Sequence, residues 1–327
     1  MVKAVIDMDA IKYAASSAGE TRTIHVVHLP SGREIDFKNR TEFYGGVKRD
    51  GGYLAQINKG RTSPFQLEEF QITDIQTPDK LENVLHLAKM MMEKWLRAVQ
   101  ADEHIGFLGK GDSWRLDAST ILKYKGNRED MLRPVYLEEV SNYLQRTYNV
   151  EVVEGLEADD WCVIASYRKP ATILMAIDKD AMGSPALVFN PNHPEWGVTN
   201  CDTFGRLYKD EKGKVRGHGR MFLYHQVCSG DSIDNYKANS ASTLKWGDAA
   251  SFKALNGCKN DQEAWAAMKA VYQKLYPEKK TVIGWRGEPI EIDWLYMLRE
   301  NFMMARMLRW EGDTVDAGDV LQKMGLL

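Results

Sequence analysis

The chain has 327 residues, 44% of them hydrophobic and 27% charged, with a formal net charge of −3. This is an ordinary globular composition, and the length allows a sizeable core in one or two domains. No apolar run approaches the roughly 20 residues a membrane helix needs, and Lys3 is followed at once by Asp7 and Asp9, so no signal-peptide core or membrane partner is expected. The 4 cysteines form no CxxC pair and the 7 histidines form no HxH or HExxH pattern, which argues against a disulfide frame and a zinc enzyme.

In chain order, Lys3–Ile6 reads as a first strand, and Ala10–Ala18 as a helix. Thr23–Leu29 and Arg33–Phe37 alternate around Pro30-Ser-Gly32, the pattern of a β-hairpin. Gly45–Gly60, rich in glycine and charge, is expected to be a mobile surface loop. Asp79–Gln100 is a long amphipathic helix, His104–Leu108 a second strand, and Pro134–Tyr148 another helix. A third strand, Val150–Val153, leads into a helix from about Leu156 to Tyr167, and Thr172–Ile177 is a fourth strand. Arg206–Gly219, basic and glycine-rich, reads as an exposed hairpin. Beyond Arg220 the pattern is mostly helical, near Met221–Cys228, Trp246–Leu255, Asp261–Leu275 and Ile292–Trp310. A domain boundary is therefore placed near residue 220, dividing 1–219 from 220–327. Short β-branched runs alternating with helices predict an α/β fold with a mostly parallel sheet.

Acidic residues follow the apolar runs: Asp7 and Asp9, Asp112, Glu157-Ala-Asp159-Asp160, Asp178-Lys-Asp180, and Asp231 with Asp234. In open α/β sheets, sites form beyond the carboxyl ends of the strands, so these residues could meet at one sheet edge. Any one aspartate is ordinarily a turn or capping residue; the repetition at strand ends is what points to a site. Clustered carboxylates repel unless cations sit among them, and all-oxygen ligands suit hard ions such as Mg²⁺ or Mn²⁺. The reading is a two-metal phosphodiester-cleaving site. Two bound divalent ions would add about four positive charges locally, offsetting the acidic net charge. Lys123-Tyr124-Lys125-Gly126-Asn127-Arg128 is the candidate phosphate-side segment, with Tyr124 placed to stack on an unpaired base.

Together these segments resemble the structure-specific 5′ nucleases, or flap endonucleases, and among them the phage 5′–3′ exonucleases. The match runs from Val5-Ile-Asp-Met-Asp9 through Gly111-Asp-Ser-Trp-Arg115, Tyr124-Lys-Gly-Asn-Arg128, Glu157-Ala-Asp-Asp160 and Asp178-Lys-Asp180 to Gly230-Asp-Ser-Ile-Asp234. Met304-Ala-Arg-Met-Leu-Arg309 also looks like the phage members. The resemblance implies a PIN-like nuclease core with a helical arch over residues 1–219, and a helical DNA-binding region over 220–327. It implies two ions, Mg²⁺ or Mn²⁺, with Asp7, Asp112, Glu157 and Asp159 serving the first. Asp160, Asp178, Asp180 and Asp231 would serve the second, with Asp234 nearby. Lys125 and Arg128 would contact the scissile phosphate, with Arg115 as an accessory contact.

The expected activity is 5′–3′ exonuclease or flap endonuclease action on DNA, with RNase H-like action on RNA–DNA hybrids as an extension. The expected setting is phage DNA replication, such as primer removal, or DNA degradation in the host cytoplasm, beside phage replication proteins. The sequence departs from the family in two places. Of the glycine-rich helix–three-turn–helix, which would grip duplex and hold K⁺, only Gly247 remains, beside the basic Lys237 and Lys245. Ala18–Gln76 is a longer strand-and-loop segment than the family core requires. Two other readings stay open: a PIN-type ribonuclease, and a haloacid-dehalogenase-type phosphatase with Asp7 as nucleophile.

Overall fold

A computed structural model of the chain describes residues 1–46, 50–129 and 131–327. Backbone contacts divide it into two compact units. One comprises Met1–Ile11, Met91–Leu132 and Ser141–Leu327; the other comprises Lys12–Met90 and Arg133–Val140.

The N-terminal elements follow the hydrophobic periodicity. β1 (Lys3–Asp7) is buried at Ala4, Val5 and Ile6 and runs directly into α1 (Met8–Ala18). β2 (Glu20–His28) and β3 (Arg33–Phe37) form the expected hairpin, joined through Gly32 at φ 66°. α2 (Arg40–Tyr44) is capped by Asn39, whose side chain accepts the Glu42 N–H. The expected loop at 45–60 contains a short helix, α3 (Tyr53–Asn58); Val47, Lys48 and Arg49 of that loop lie outside the described residues. β4 (Phe70–Pro78), not foreseen, pairs antiparallel with β2 along nine residue pairs. The smaller unit is therefore a three-stranded antiparallel sheet, β3-β2-β4, around Ile24, Val26, Phe37 and Phe43. α4 (Leu81–Ala98) buries Val84, Ala88, Met92 and Trp95 along one face, as its 3.6-residue period requires.

The larger unit is built on a six-stranded sheet of order β6-β5-β1-β7-β8-β9. β5 (Glu103–Lys110) pairs parallel with β1 and leads to α5 (Trp114–Ala118). α6 (Leu137–Thr147) precedes β6 (Val150–Glu154), parallel to β5. α7 (Ala158–Ser166) begins after Glu157 and precedes β7 (Thr172–Met175), which returns to the other side of β1. β8 (Leu187–Phe189) continues parallel, and β9 (Thr199–Asn200) closes the edge antiparallel. These last two are too short to carry a readable alternation. The order reverses at β1, so the crevice beyond its carboxyl end is the switch point where α/β sheets place their sites.

β10 (Arg206–Lys209) and β11 (Val215–His218) form the expected basic hairpin. α8 (Arg220–Ser229), α9 (Asp248–Leu255) and α10 (Asp261–Leu275) follow, with Trp265, Met268 and Tyr272 of α10 fully buried. A second hairpin, β12 (Lys280–Ile283) and β13 (Pro289–Ile292), interrupts the expected helical run. α11 (Trp294–Ala305) stops five residues short of the expected Trp310. There the chain extends so that Arg306 can pair with Asp313 and lend its carbonyl to Arg115. α12 (Ala317–Lys323), capped by Asp316, was not foreseen.

Candidate metal and phosphate site

Asp7 ends β1, and its Oδ1 accepts the N–H groups of Asp9 at 3.0 Å and Ala10 at 3.4 Å, so it also caps α1. Asp9 reaches across to β5, where its Oδ2 accepts the Gly109 N–H at 3.2 Å. Beyond β6, Glu157 occupies the N-cap position of α7, with Asp159 and Asp160 in the first turn. Beyond β7, Asp178 caps a short 3₁₀ turn by accepting the Asp180 N–H at 2.9 Å. Asp231 and Asp234 lie on the loop after α8, held by a two-residue bridge between Asp231 and Tyr236.

Asp7, Asp159 and Asp178, from three separate strand ends, line one small cleft whose apolar walls include Cys162, Val163, Leu174 and Met307. Burial, then the neighbouring charge of Asp9 and that of Asp178, pushes the Asp7 carboxyl up to about 7. Burial, then Glu157 and Asp160, raises Asp159 well above the carboxylate range. Burial and Asp178 do the same to Asp180, and burial also raises Asp234 against the pull of Lys125. These are oxygen donors whose ionisation is opposed by a dry setting and by one another, the condition a bound hard cation relieves. The residues therefore fit divalent ions.

Three further acids, Glu157, Asp160 and Asp231, are already paired with basic groups. Oxygens of Glu157, Asp159 and Asp160 come within 4.8 Å of one another. Asp160, fully buried, receives Arg115 Nη1 at 2.7 Å and Nη2 at 2.8 Å, Trp114 Nε1 at 3.1 Å and the Leu308 N–H at 2.9 Å. Both its oxygens are engaged, so it acts here as an anchor for the arginine. Glu157 accepts from Arg115 Nη1 at 2.7 Å, from the Tyr124 hydroxyl at 2.9 Å and from Lys125 Nζ. Burial opposes its ionisation, but Arg115 and Lys125 outweigh that and hold it at about 2. Asp231 pairs with Lys179 at 2.6 Å and accepts the Ile233 N–H at 2.6 Å. These contacts outweigh burial and keep it below the usual range. Asp112 is exposed and enters no hydrogen bond or ion pair with these acids among the described residues.

The basic segment docks onto the last acidic loop. Arg128 Nη2 meets Asp234 at 3.0 Å, Arg128 Nε donates to the Ile233 carbonyl at 3.1 Å, and Asn127 donates to the Ser232 carbonyl. Lys125, at φ 54°, pairs with Glu157 and approaches Asp234 at 3.9 Å. Lys125 and Arg128 thus stand at the border of the carboxylates, each roughly a third exposed (side-chain values of 32% and 38%). Two nucleic-acid contacts expected nearby are corrected. Arg115 is 1% exposed and spends its guanidinium on Asp160, Glu157 and the Arg306 carbonyl, leaving no face for phosphate. Tyr124 is 6% exposed, with its hydroxyl on Glu157, so its ring is not available to a base. In place of an expected helical arch, the described residues between α5 and α6 carry one 3₁₀ turn, Gly126–Arg128. Lys237 and Lys245 are exposed on the loops before α9.

Sequence reasoning missed Gln226, a buried residue of α8 whose Nε2 donates to Asp180, and Lys179, which neutralises Asp231. It marked Met304–Arg309 without a role; that segment supplies the Arg306 carbonyl and Leu308 N–H that brace Arg115 and Asp160.

No family model matches the chain, and no curated protein matches it. Among solved structures it is similar to the T5 D15 protein co-crystallized with metal ions, at 11% identity and a TM-score of 0.45, over 98% of this chain and 96% of that one. It is also similar to T5 5′-exonuclease with divalent zinc ions bound, at 15% identity and a TM-score of 0.42, over 72% of this chain and 86% of that one. At these scores neither likeness bears on the chemistry, which rests on the side chains described above.

Proposed function

We propose that the chain is a metal-dependent nuclease of the 5′-nuclease type, with a PIN-like core, hydrolysing DNA phosphodiesters from 5′ ends or at flaps. The observation that carries this reading is the meeting of Asp7, Asp159 and Asp178, from three strand ends, around one cleft, with Lys125 and Arg128 paired to the neighbouring acids Glu157 and Asp234. Asp7, Asp159 and Asp178, with Asp180 beside them, would hold Mg²⁺ or Mn²⁺; Glu157, Asp160, Asp231 and Asp234 would need to exchange a basic partner before serving as ligands. Such ions, when bound, supply charge neutralisation at the phosphate and an activated water. Lys125 and Arg128 would place the scissile phosphate and stabilise its developing charge. Asp7, raised to about 7, would be only partly ionised at neutral pH without a cation beside it, and a bound cation would favour its charged form.

Residues 220–327 are assigned to the grip on duplex, through Lys237 and Lys245, and a phage replication role goes with this reading. The test is product analysis on 3′-labelled DNA with a blunt 5′ end and with a 5′ flap, in Mg²⁺ and in excess chelator. Metal-dependent shortening from the 5′ end, or flap release, is expected. Cleavage of RNA alone would select the PIN-type ribonuclease, and phosphate release with an acyl-phosphate at Asp7 would select the phosphatase.

A further inference from the structure

The segment Arg206–Arg220 carries six basic residues and two acidic ones in a chain whose net charge is −3. Two of the six are internally satisfied: Arg216 by Asp210 at 3.0 Å, and Arg220 by Asp261 at 2.8 Å. The other four, Arg206, Lys209, Lys212 and Lys214, have no carboxylate partner among the described residues. Arg206 lies over the Tyr208 ring and Lys209 over Phe252.

Strand alternation sorts the faces. Leu207, Val215 and Gly217 point inward and are buried, while Tyr208 stands opposite Arg216 and Arg206 opposite His218 on the outer face. Tyr208 is 39% exposed, an aromatic ring held in the open between cations. The hairpin is also fixed to the candidate site. The Gly219 N–H donates to the Met182 carbonyl at 2.8 Å, on the same 3₁₀ turn that begins with Asp178 and Asp180.

We infer that the outer face of the β10–β11 hairpin is a docking surface for the phosphate backbone of the nucleic acid, with Tyr208 packing on a base or sugar beside it. The occupant follows from charge complementarity. Three unpaired cations on that face and at its tip, Arg206, Lys212 and Lys214, with an exposed aromatic ring match a polyanion with π-faces, and the Gly219–Met182 hydrogen bond ties the hairpin to the Asp178–Asp180 turn beside the carboxylates; Lys209, opposite Val215, belongs to the inner face. The inference rests on the nuclease reading and adds to it the surface that positions the strand.

The test is fluorescence anisotropy of the full chain with a labelled DNA hairpin bearing a 5′ single-stranded tail, in chelator, over a series of salt concentrations. The triple variant Arg206→Ser, Lys212→Ser, Lys214→Ser is expected to bind at least tenfold more weakly. Its log–log salt slope should be shallower by about 2–3, from ~0.9 per phosphate contact. Tyr208→Ser should lose about fivefold or more with the slope unchanged. A control removing three exposed charges elsewhere in the same unit, Lys3, Lys94 and Arg97, should keep most of the affinity. All the substituted residues are exposed or lie at the hairpin tip, so folding is checked by an unchanged thermal midpoint.

If the unchanged protein binds DNA and the triple variant matches it, or the control loses as much, the hairpin assignment is wrong and the nuclease reading stands. If the unchanged protein binds no DNA either in chelator or with Ca²⁺ added, the nuclease reading falls and takes this inference with it.

Discussion

Replacing Arg115 by methionine keeps the length and apolar bulk of the side chain and removes its charge. In the structure that guanidinium makes four short polar contacts, two to Asp160, one to Glu157 and one to the Arg306 carbonyl. Asp160 is 0% exposed, so the substitution strands a buried carboxylate. Breaking a buried pair from one side costs about 3–5 kcal/mol. Asp160 would keep Trp114 Nε1 and the Leu308 N–H, and Glu157 would keep Lys125 and Tyr124, which places the loss near the lower end, ~3 kcal/mol. That is a large part of a typical stability of about 5–15 kcal/mol. Urea denaturation followed by tryptophan fluorescence should show the midpoint falling by ~1 M or more. The double variant Arg115→Met, Asp160→Asn should recover part of the loss, because the stranded charge is gone. A single-variant loss under about 1 kcal/mol, or a double variant no better than the single, would show that the pair is not the strut described here.

Four further outcomes follow from the site. Asp7, raised to about 7, is a group whose folded state holds its proton more tightly than the unfolded chain; its contribution to stability is complete below about 3.8 and is lost as pH rises through 7. Glu157, held at about 2, works oppositely: its contribution is present above about 4.5 and is lost as pH falls toward 2. In chelator the thermal midpoint should therefore peak at about pH 4, between the two unfolded values of 3.8 and 4.5, and decline on both sides, and Mg²⁺ should raise it more at pH 8 than at pH 5; a flat profile would contradict the uncompensated cluster. Asp178→Asn should abolish cleavage with DNA affinity largely kept, measured by product analysis and anisotropy, and unchanged turnover would remove Asp178 from the metal site. Lys125→Ala should slow turnover strongly in an intact fold, and a change in affinity alone would deny it a catalytic role. Gly230→Ala should destabilise the loop carrying Asp231, because Gly230 sits at φ 79° and an added Cβ would meet the Tyr236 carbonyl at 2.4 Å; a cost of at least ~1 kcal/mol is expected in thermal denaturation.

Much of the framework was legible from local pattern. β1, β6 and β7 announce themselves as short runs rich in β-branched residues, and each is followed by acids that the fold carries to one edge, whereas Asp112 after β5 stays exposed apart from them. α10 was read with its observed bounds, because its apolar period and its Asn260 cap agree. β4, β8 and β9 were not read, since their residues gain their pairing partners only when distant strands come alongside. The end of α11 was misjudged because an apolar helical period continues past Ala305, while the pull of Asp313 and Arg115 on Arg306 is invisible in a window of neighbours.

The sequence by itself determined the oxygen-only chemistry of the acids, their position at strand ends, the basic segment at 123–128 and the hairpin at 206–218. Only the tertiary structure decided which acids remain uncompensated. Glu157 and Asp159 are two residues apart, yet Arg115 and Lys125 hold one at about 2 while burial drives the other far up. Arg115 and Tyr124 read as surface contacts and proved to be interior struts, one of them bonded to a carbonyl 191 positions away. Side-chain period reports which way a residue faces on its own element; the burial and charge partners that set its chemistry come from segments far along the chain, and only folding brings those within reach.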